Sequence, residues 1–507
     1  MKPPVTESVS ETDVHGPTDD LAGETVRGVS WTAGAQLGRQ LLQTVFSIFI
    51  ARLLLPEDFG QVAQVVVLAG LANILSDFGL GAALVQRKAI DERHRSSVFW
   101  VQAAIGLAVA GIIAAAAPLI AAFYGDADLR LLTVVLAPNF FLASLCTVQR
   151  ALLTRAMRFR ALAVVDIGSV ALSGVVCVVA AALGAGVFSL VFQMLTATGA
   201  AMVLLWLSAS WRPRATFDRE ALAELLPFSR NLLGFTLINY AVRNGDNLLV
   251  GRLMGASALG LYTRGYSILL YPTRQISTVV GRVMFASLSR LNDDIDRLRR
   301  AYLRAVSVIA LVTFPLMVGL ALVSEEFVLG VLGEKWSAAI PIIRIFCLLG
   351  ALESVFTTMG WIYQATGRTD ILFRWGLAAG GVPLAGIAIG SAIGNIEAVT
   401  VAYAVSTAVL AYPAVRIAGG LIGMTFSDLA RGLAPVALCT AVMAATVGVT
   451  ALLLPDGTAI LVSLAAKAAV GAVSYAAAVH LSGVAAYHDL RETLLAQRRR
   501  RPAVVHR

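Results

Sequence analysis

The sequence predicts an all-α polytopic membrane protein of about fourteen transmembrane helices, built as two parallel-repeat six-helix lobes plus two C-terminal helices. Three observations predict it. Of 507 residues, 58% are hydrophobic and 14% charged, with a mean hydropathy of +0.78, too few charges to clothe a water-facing surface of that size. Apolar runs of helical period recur through nearly the whole chain, each close to the roughly 20 residues that cross a hydrocarbon core; barrel strands would alternate in shorter segments. The third is an internal echo: Arg52-Leu53 and Gly60 return as Arg252-Leu253 and Gly260, 200 positions later, and Arg158 lines up with Arg368 at an offset of 210. The two matches keep the same order, as a duplicated unit would.

Residues 1–26 are polar and acidic, without the basic start and short apolar core of a cleavable signal, and read as a disordered cytoplasmic tail. The N-lobe, 27–210, carries spans near 28–51, 60–86, 96–123, 130–149, 161–183 and 186–208. In the linker, 211–227, Asp218 is placed to cap a short helix behind Phe217. There Ala221, Leu222, Leu225 and Leu226 share a face against Arg219, Glu220 and Glu224. The pattern suits an amphipathic surface helix that lets two bundles move, or an ordinary linker. The C-lobe, 228–420, continues with spans near 228–251, 257–287, 302–323, 338–363, 371–391 and 395–418. Two additional spans, 429–454 and 457–482, lie within 428–483, and a basic cytoplasmic tail, 484–507, closes the chain.

The connecting loops alternate in charge. Arg87, Lys88, Arg93 and Arg95, then Arg150, Arg155, Arg158 and Arg160, then Arg212, Arg214 and Arg219 mark one side, and Glu57, Asp58, Asp126, Asp128, Glu325 and Glu326 the other. By the excess of basic residues on the cytoplasmic side, both termini face the cytoplasm.

Ionisable residues inside a span cost about 2.5–3.5 kcal/mol each at the bilayer centre, so something must compensate them. The substrate-cavity candidates are Arg39 with Gln36 and Gln43 on the first span, Arg243 and Asn247 on the seventh, Arg274 on the eighth and Arg344 on the tenth. Asp77, Asp166, Asp246 and Glu353 are candidates for coupling or for ion pairs. Arg243 and Asp246, at i and i+3, are spaced for an internal pair. Arg264 and Arg282 suit either a ladder of cations along the wall or snorkelling ends. A basic excess suits an anion, because guanidinium forks onto phosphate with two hydrogen bonds and stays charged at any cellular pH. Four cysteines and five histidines sit singly, without metal-ligand spacing. No catalytic arrangement is visible, so neither an enzyme, a metal nor a cofactor is expected.

The run from Ala51 to Gly60 (ARLLLPEDFG), continuing through Asp77-Phe78-Gly79-Leu80-Gly81, resembles the opening of the polysaccharide-type flippases. So do Arg158-Phe159-Arg160, Arg243-Asn244-Gly245-Asp246-Asn247, Leu259-Gly260-Leu261-Tyr262 and Gly367-Arg368-Thr369-Asp370. The resemblance is to the Wzx-like, colanic acid exporter-like branch of the MOP superfamily, which also holds multidrug extruders, and it covers roughly residues 25 to 430. It implies a bacterial inner-membrane flippase that moves undecaprenyl-pyrophosphate-linked oligosaccharide units to the periplasmic leaflet for exopolysaccharide or lipopolysaccharide synthesis. Alternating access through a cationic cavity is implied with it. The implied partners are that lipid-linked sugar, membrane lipids, and a polymerase and glycosyltransferases, with no nucleic acid. The competing readings are a cation-coupled multidrug extruder of the same superfamily and a membrane scaffold for polysaccharide-synthesis enzymes.

Overall fold

The computed structural model describes residues 18–77, 79–87, 89–289, 294–455 and 457–488; side chains in several helical stretches, 270–287 among them, lie outside that description. The chain opens with α1 (Thr18–Leu53), α2 (Pro56–Asp77), the short α3 (Leu80–Gln86) and α4 (Glu92–Tyr124). The fourth expected span is three pieces, α5 (Asp128–Leu136), α6 (Pro138–Ser144) and α7 (Thr147–Arg155). Then come α8 (Phe159–Ala182), α9 (Phe188–Ser208), α10 (Arg219–Ala223) and α11 (Leu226–Ser289). The second half continues with α12 (Ile295–Leu322), α13 (Ser324–Phe327), α14 (Ala339–Phe356), α15 (Met359–Ala365) and α16 (Thr369–Ile393). It ends with α17 (Ile396–Val409), α18 (Ala411–Gly420), α19 (Phe426–Leu453) and α20 (Ile460–Ser482). No strand occurs among the described residues.

Helices stand at every expected span, but among the described residues ten are long and apolar enough to cross a membrane on their own, and α1 with α2, as one bent pair, makes an eleventh. The remaining expected spans fall on α1, α2 and α11, the helices that carry Arg39, Asp77, Arg243 and Asp246. α1 begins at Thr18, inside the expected tail, where Thr and two Asp form a helix-start pattern. Leu183, Leu207, Leu452 and Leu481 are largely exposed, as side chains facing hydrocarbon rather than water are.

The chain forms two compact units: Met1–Ser47, Ala72–Ala117 and Leu131–Leu237 in the first, Ile48–Leu71, Pro118–Arg130 and Ile238–Arg507 in the second. Residues of both repeat copies meet within the second unit. α11 is broken at Gly255 (φ 84°), so its arms are 226–254 and 256–289; the matching break before Pro56 is closed instead by Asp58, which accepts from the Leu55 amide at 2.8 Å. Just past these breaks the backbones touch. A Cβ on Gly60 would overlap the Ala256 carbonyl and come within 2.9 Å of Ala256 Cα. One on Gly260 would overlap the Pro56 carbonyl and reach 3.2 Å from Gly60 N. The two contacts exchange under the offset of 200 that relates the copies, so the duplication is a local two-fold relation as well as a sequence echo.

Around this contact the helix ends are tied by hydrogen bonds to main-chain oxygen. Arg52 donates to Val331 O at 2.9 Å and to Gly330 O, Trp336 Nε1 to Ala51 O at 2.8 Å, and Lys335 Nζ to Leu53 O at 3.0 Å. Gln64 Nε2 donates to Gly251 O at 3.0 Å, and Tyr240 to Val66 O and Val67 O. Arg264, read from sequence as a wall cation or a snorkelling end, lies over the rings of Phe59 and Trp336 at 5.6 and 5.7 Å, a cation–π position.

In the first unit a core of Leu80, Leu84, Val98, Phe99 and Val148 takes in Leu225 of the linker. The linker is fastened to the start of α4. Arg214 N and Asp218 N donate to Ser96 Oγ and Ser97 Oγ at 3.0 and 2.8 Å, and Trp211 Nε1 to Glu92 Oε2 at 2.9 Å. Asp218 caps α10 through the Glu220 and Ala221 amides and pairs with Arg93 at 3.1 Å. Glu224 pairs with Arg87 and with His94, whose other nitrogen meets Asp91 at 2.7 Å.

These bonds hold three carboxyls below their ordinary range: Asp91 chiefly through His94, Asp218 through the Ala221 amide, and Glu224 through His94. A lowered carboxyl stabilises the fold fully above its unfolded value, about 4, and the contribution disappears as pH falls through the folded value. Melting temperature in detergent is therefore expected to fall on acidification below about pH 4. Asp218→Asn should blunt that fall and lower stability at neutral pH; unchanged acid sensitivity would contradict the assignment. For the two-fold contact, Gly60→Ala and Gly260→Ala should each destabilise by about 1–3 kcal/mol through overpacking. Gly111→Ala, with nothing within 4 Å of the added carbon, should be neutral or slightly stabilising. Thermal unfolding of the three variants checks this.

Candidate functional site

The second unit contains a chamber of about 480 Å³. Arg243 and Asp246 enter it from the first arm of α11, a turn apart on one face. Tyr266 comes from the second arm, Glu353 from α14, Trp375 from α16 and Tyr403 from α17. Along the α16 wall Gly376 and Gly380 leave room. Pro383 has no amide hydrogen, so the Ala379 carbonyl, which also lines the chamber, lacks its intrahelical donor. Further along that helix Gly386 and Gly390 let α17 approach closely: an added Cβ would lie 2.9 and 2.8 Å from the Ala402 and Ala398 carbonyl oxygens.

Of the two readings open for Arg243 and Asp246, an internal pair or separate groups lining a cavity, the chamber has the groups apart. Arg243 and Asp246 form no ion pair among the described residues. Asp246, buried to 6% exposure, accepts from the Asn247 amide at 2.8 Å and from Tyr262 Oη at 3.4 Å. Arg243 is exposed and has no carboxylate within pairing distance among the described residues, and the Glu353 carboxylate likewise has no partner there. Behind them Tyr262, Tyr266, Phe346 and Tyr403 form one aromatic cluster, with Tyr262 and Tyr266 stacked at 5.9 Å and Tyr403 Oη donating to Tyr266 Oη at 3.4 Å. The lining is thus mixed in charge, one guanidinium with two carboxylates, against an aromatic floor.

Of the residues read from sequence, Arg243, Asp246 and Glu353 come together here. Asn247 adjoins them, with its Oδ1 buried and unpartnered. Arg344 does not join: it is exposed and its Nε donates to Ser324 Oγ at 3.2 Å. The reason is helical phase, since Arg344 and Glu353 are nine positions apart on α14 and nine residues is two and a half turns. Arg39, Gln36 and Gln43 belong to the first unit. There Arg39 Nη2 donates to Gln36 Oε1 at 3.0 Å and its Nε is buried without a partner, while Gln36 and Gln43 are exposed. Asp166 is half-buried and pairs with Arg150 at 3.0 Å. The side chains of Arg274, Arg282 and Asp77 lie outside the described residues. Tyr266, Tyr403 and Trp375 were not anticipated, because aromatics inside apolar runs read as core. No cluster of three or more His, Cys, Asp or Glu able to hold a metal occurs among the described residues.

A multi-pass helical chain with a polar chamber among its helices has the fold class of a membrane transporter. Its family follows from sequence: the chain belongs to the polysaccharide biosynthesis protein family, whose model matches residues 49–341. It is 28% identical over 385 residues to the teichuronic acid biosynthesis protein TuaB of Bacillus subtilis (strain 168), covering 76% of this chain and 79% of that one. It is 28% identical over 393 residues to the lipopolysaccharide biosynthesis protein WzxC of Escherichia coli (strain K12), covering 76% and 78%. In fold it matches the lipid II flippase MurJ in an inward closed conformation, with a TM-score of 0.71 over 90% of this chain and 99% of that one at 13% identity.

Proposed function

We propose that the protein is a flippase that carries polyprenyl-pyrophosphate-linked oligosaccharide units from the cytoplasmic to the periplasmic leaflet for the synthesis of a surface polysaccharide, and that it is not an enzyme. The observation that carries the reading is Arg243: a guanidinium without a carboxylate partner among the described residues, in a chamber among membrane-spanning helices. A cation kept there calls for an anion, and the family and the names of its relatives in teichuronic acid and lipopolysaccharide biosynthesis point to a sugar carried on a phosphorylated lipid. The lining rings of Tyr266, Tyr403 and Trp375 suit the apolar faces of sugar rings. Asp246 and Glu353 are the groups where a coupling cation or proton would bind. Arg39, on α1 in the first unit, is a separate candidate for the anion. Both termini are assigned to the cytoplasm from the basic loops.

One observation favours a second reading. Two carboxylates in one chamber without guanidinium partners among the described residues also suit a cation-coupled extruder of organic cations. The readings separate in vesicles loaded with lipid-linked oligosaccharide. Arg243→Gln should slow translocation at least ten-fold, because a charge-assisted hydrogen bond contributes about 1.5–3 kcal/mol and each factor of ten corresponds to about 1.4 kcal/mol. Arg344→Gln should stay within about two-fold of the parent. Wild-type rates in Arg243→Gln, or expulsion of organic cations with no movement of the lipid, would overturn the proposal.

A further inference from the structure

We propose that an arginine-lined pocket in the first unit, separate from the chamber above, binds a phosphate-bearing anion. The pocket has a volume of about 380 Å³ and is lined by Arg95 near the start of α4, Arg155 at the end of α7 and Arg158 at the start of α8, with Ser210 and Trp211 beyond α9. No carboxylate lines it. Two of the arginines are braced from behind: Arg155 Nη1 donates to the carbonyls of Leu84, Val85 and Arg87, and Arg158 Nη1 to Ser208 O at 3.0 Å. Arg95 Nε is buried without a hydrogen-bond partner.

The neighbouring carboxylates are already occupied. Glu92 accepts from Trp211 and Ser96, Asp91 faces Arg93 and His94, Glu224 faces Arg87 and His94, and Asp166 faces Arg150. Neither Arg95 nor Arg158 forms an ion pair among the described residues. No side chain caps the start of α8, whose positive end adds to the field.

The second copy of the repeat provides an internal control. Arg158 N donates to Leu153 O at 3.0 Å and Arg368 N to Tyr363 O at 2.8 Å, and each arginine follows a residue of positive φ, Met157 at 52° and Gly367 at 71°. The two copies therefore make the same kind of turn at the offset of 210, and their sequences diverge two residues later. Arg368 is neutralised by Asp370 at 3.1 Å, whereas the first copy has Arg160 at that position. One copy closes its guanidinium with a carboxylate; the other keeps it available and adds a second cation. Planar, permanently charged forks braced on carbonyl oxygen match the tetrahedral oxygens of phosphate or pyrophosphate better than a lone carboxylate. That the anion is the pyrophosphate of the transported lipid rests on the function proposed above; that the pocket takes a phosphate does not.

The test uses the full-length protein in phosphatidylcholine nanodiscs, titrated calorimetrically with inorganic pyrophosphate at constant ionic strength, with phosphatidylglycerol retention measured in parallel by native mass spectrometry. Arg95→Gln combined with Arg158→Gln should weaken binding at least ten-fold. So should Arg160→Asp, which installs the pairing of the second copy and removes no lining residue, so a folding defect cannot account for both. Loss of phosphatidylglycerol retention alone in these variants would assign the site to bilayer head groups, and loss of pyrophosphate binding would assign it to a free or substrate phosphate; either supports the proposal. Pyrophosphate affinity and lipid retention both unchanged in the two variants, with melting curves intact, would overturn it whether or not the protein transports.

Discussion

Two glycines set how close the duplicated segments come. Gly60 and Gly260 each lie against a carbonyl at the start of the other copy's helix, Ala256 and Pro56, with no space for a single carbon. At that separation the polar ends beside them come within hydrogen-bonding distance, and the ties from Arg52, Trp336, Lys335 and Gln64 follow. Water offers no hydrophobic drive between helices inside a bilayer, so shape and small residues must supply association. The glycine pair does this where the two copies present equivalent positions to each other.

The same economy governs the charges. The chain has 40 Lys and Arg against 31 Asp and Glu, so carboxylates cannot pair with every cation. Many guanidiniums instead close the carbonyl ends of helices: Arg52 at Gly330 and Val331, Arg155 behind α3, Arg158 at Ser208, Arg212 at Ala209 and Arg299 at Gly423. These oxygens lack intrahelical donors and lie at the negative end of a dipole. Several arginines of the basic loops thus also serve as caps. Among the described residues Arg243 and Arg95 are given neither a carboxylate nor a carbonyl.

Much of the architecture was legible because it is written in periodicity and spacing. Apolar runs marked the helices, and the offsets of 200 and 210 marked a duplication that reappears in backbone contacts and in matching hydrogen bonds at Leu153 and Tyr363. The cap at Asp218, with Ala221 and Leu225 turned inward, was also readable, since capping chemistry is local. Contacts between distant segments were not. Nothing near Arg264 announces that Phe59 and Trp336 lie beneath it. Spacing made Arg243 and Asp246 an available pair, but Asp246 took an amide and a tyrosine instead. Arg344 and Glu353 could have been assigned to opposite sides of their helix by counting residues.

The fastening around the glycines has a consequence for how it lets go. Its acceptors are peptide oxygens, which neither titrate nor carry a formal charge, so its grip is nearly indifferent to acidity and little weakened by salt. Each bond broken at an aqueous membrane surface is replaced by one to water, at a net loss of only about 0.5–1.5 kcal/mol. Strength comes from number and fit rather than from any one link. Asp246 and Glu353, the carboxylates of the chamber, accept none of these bonds.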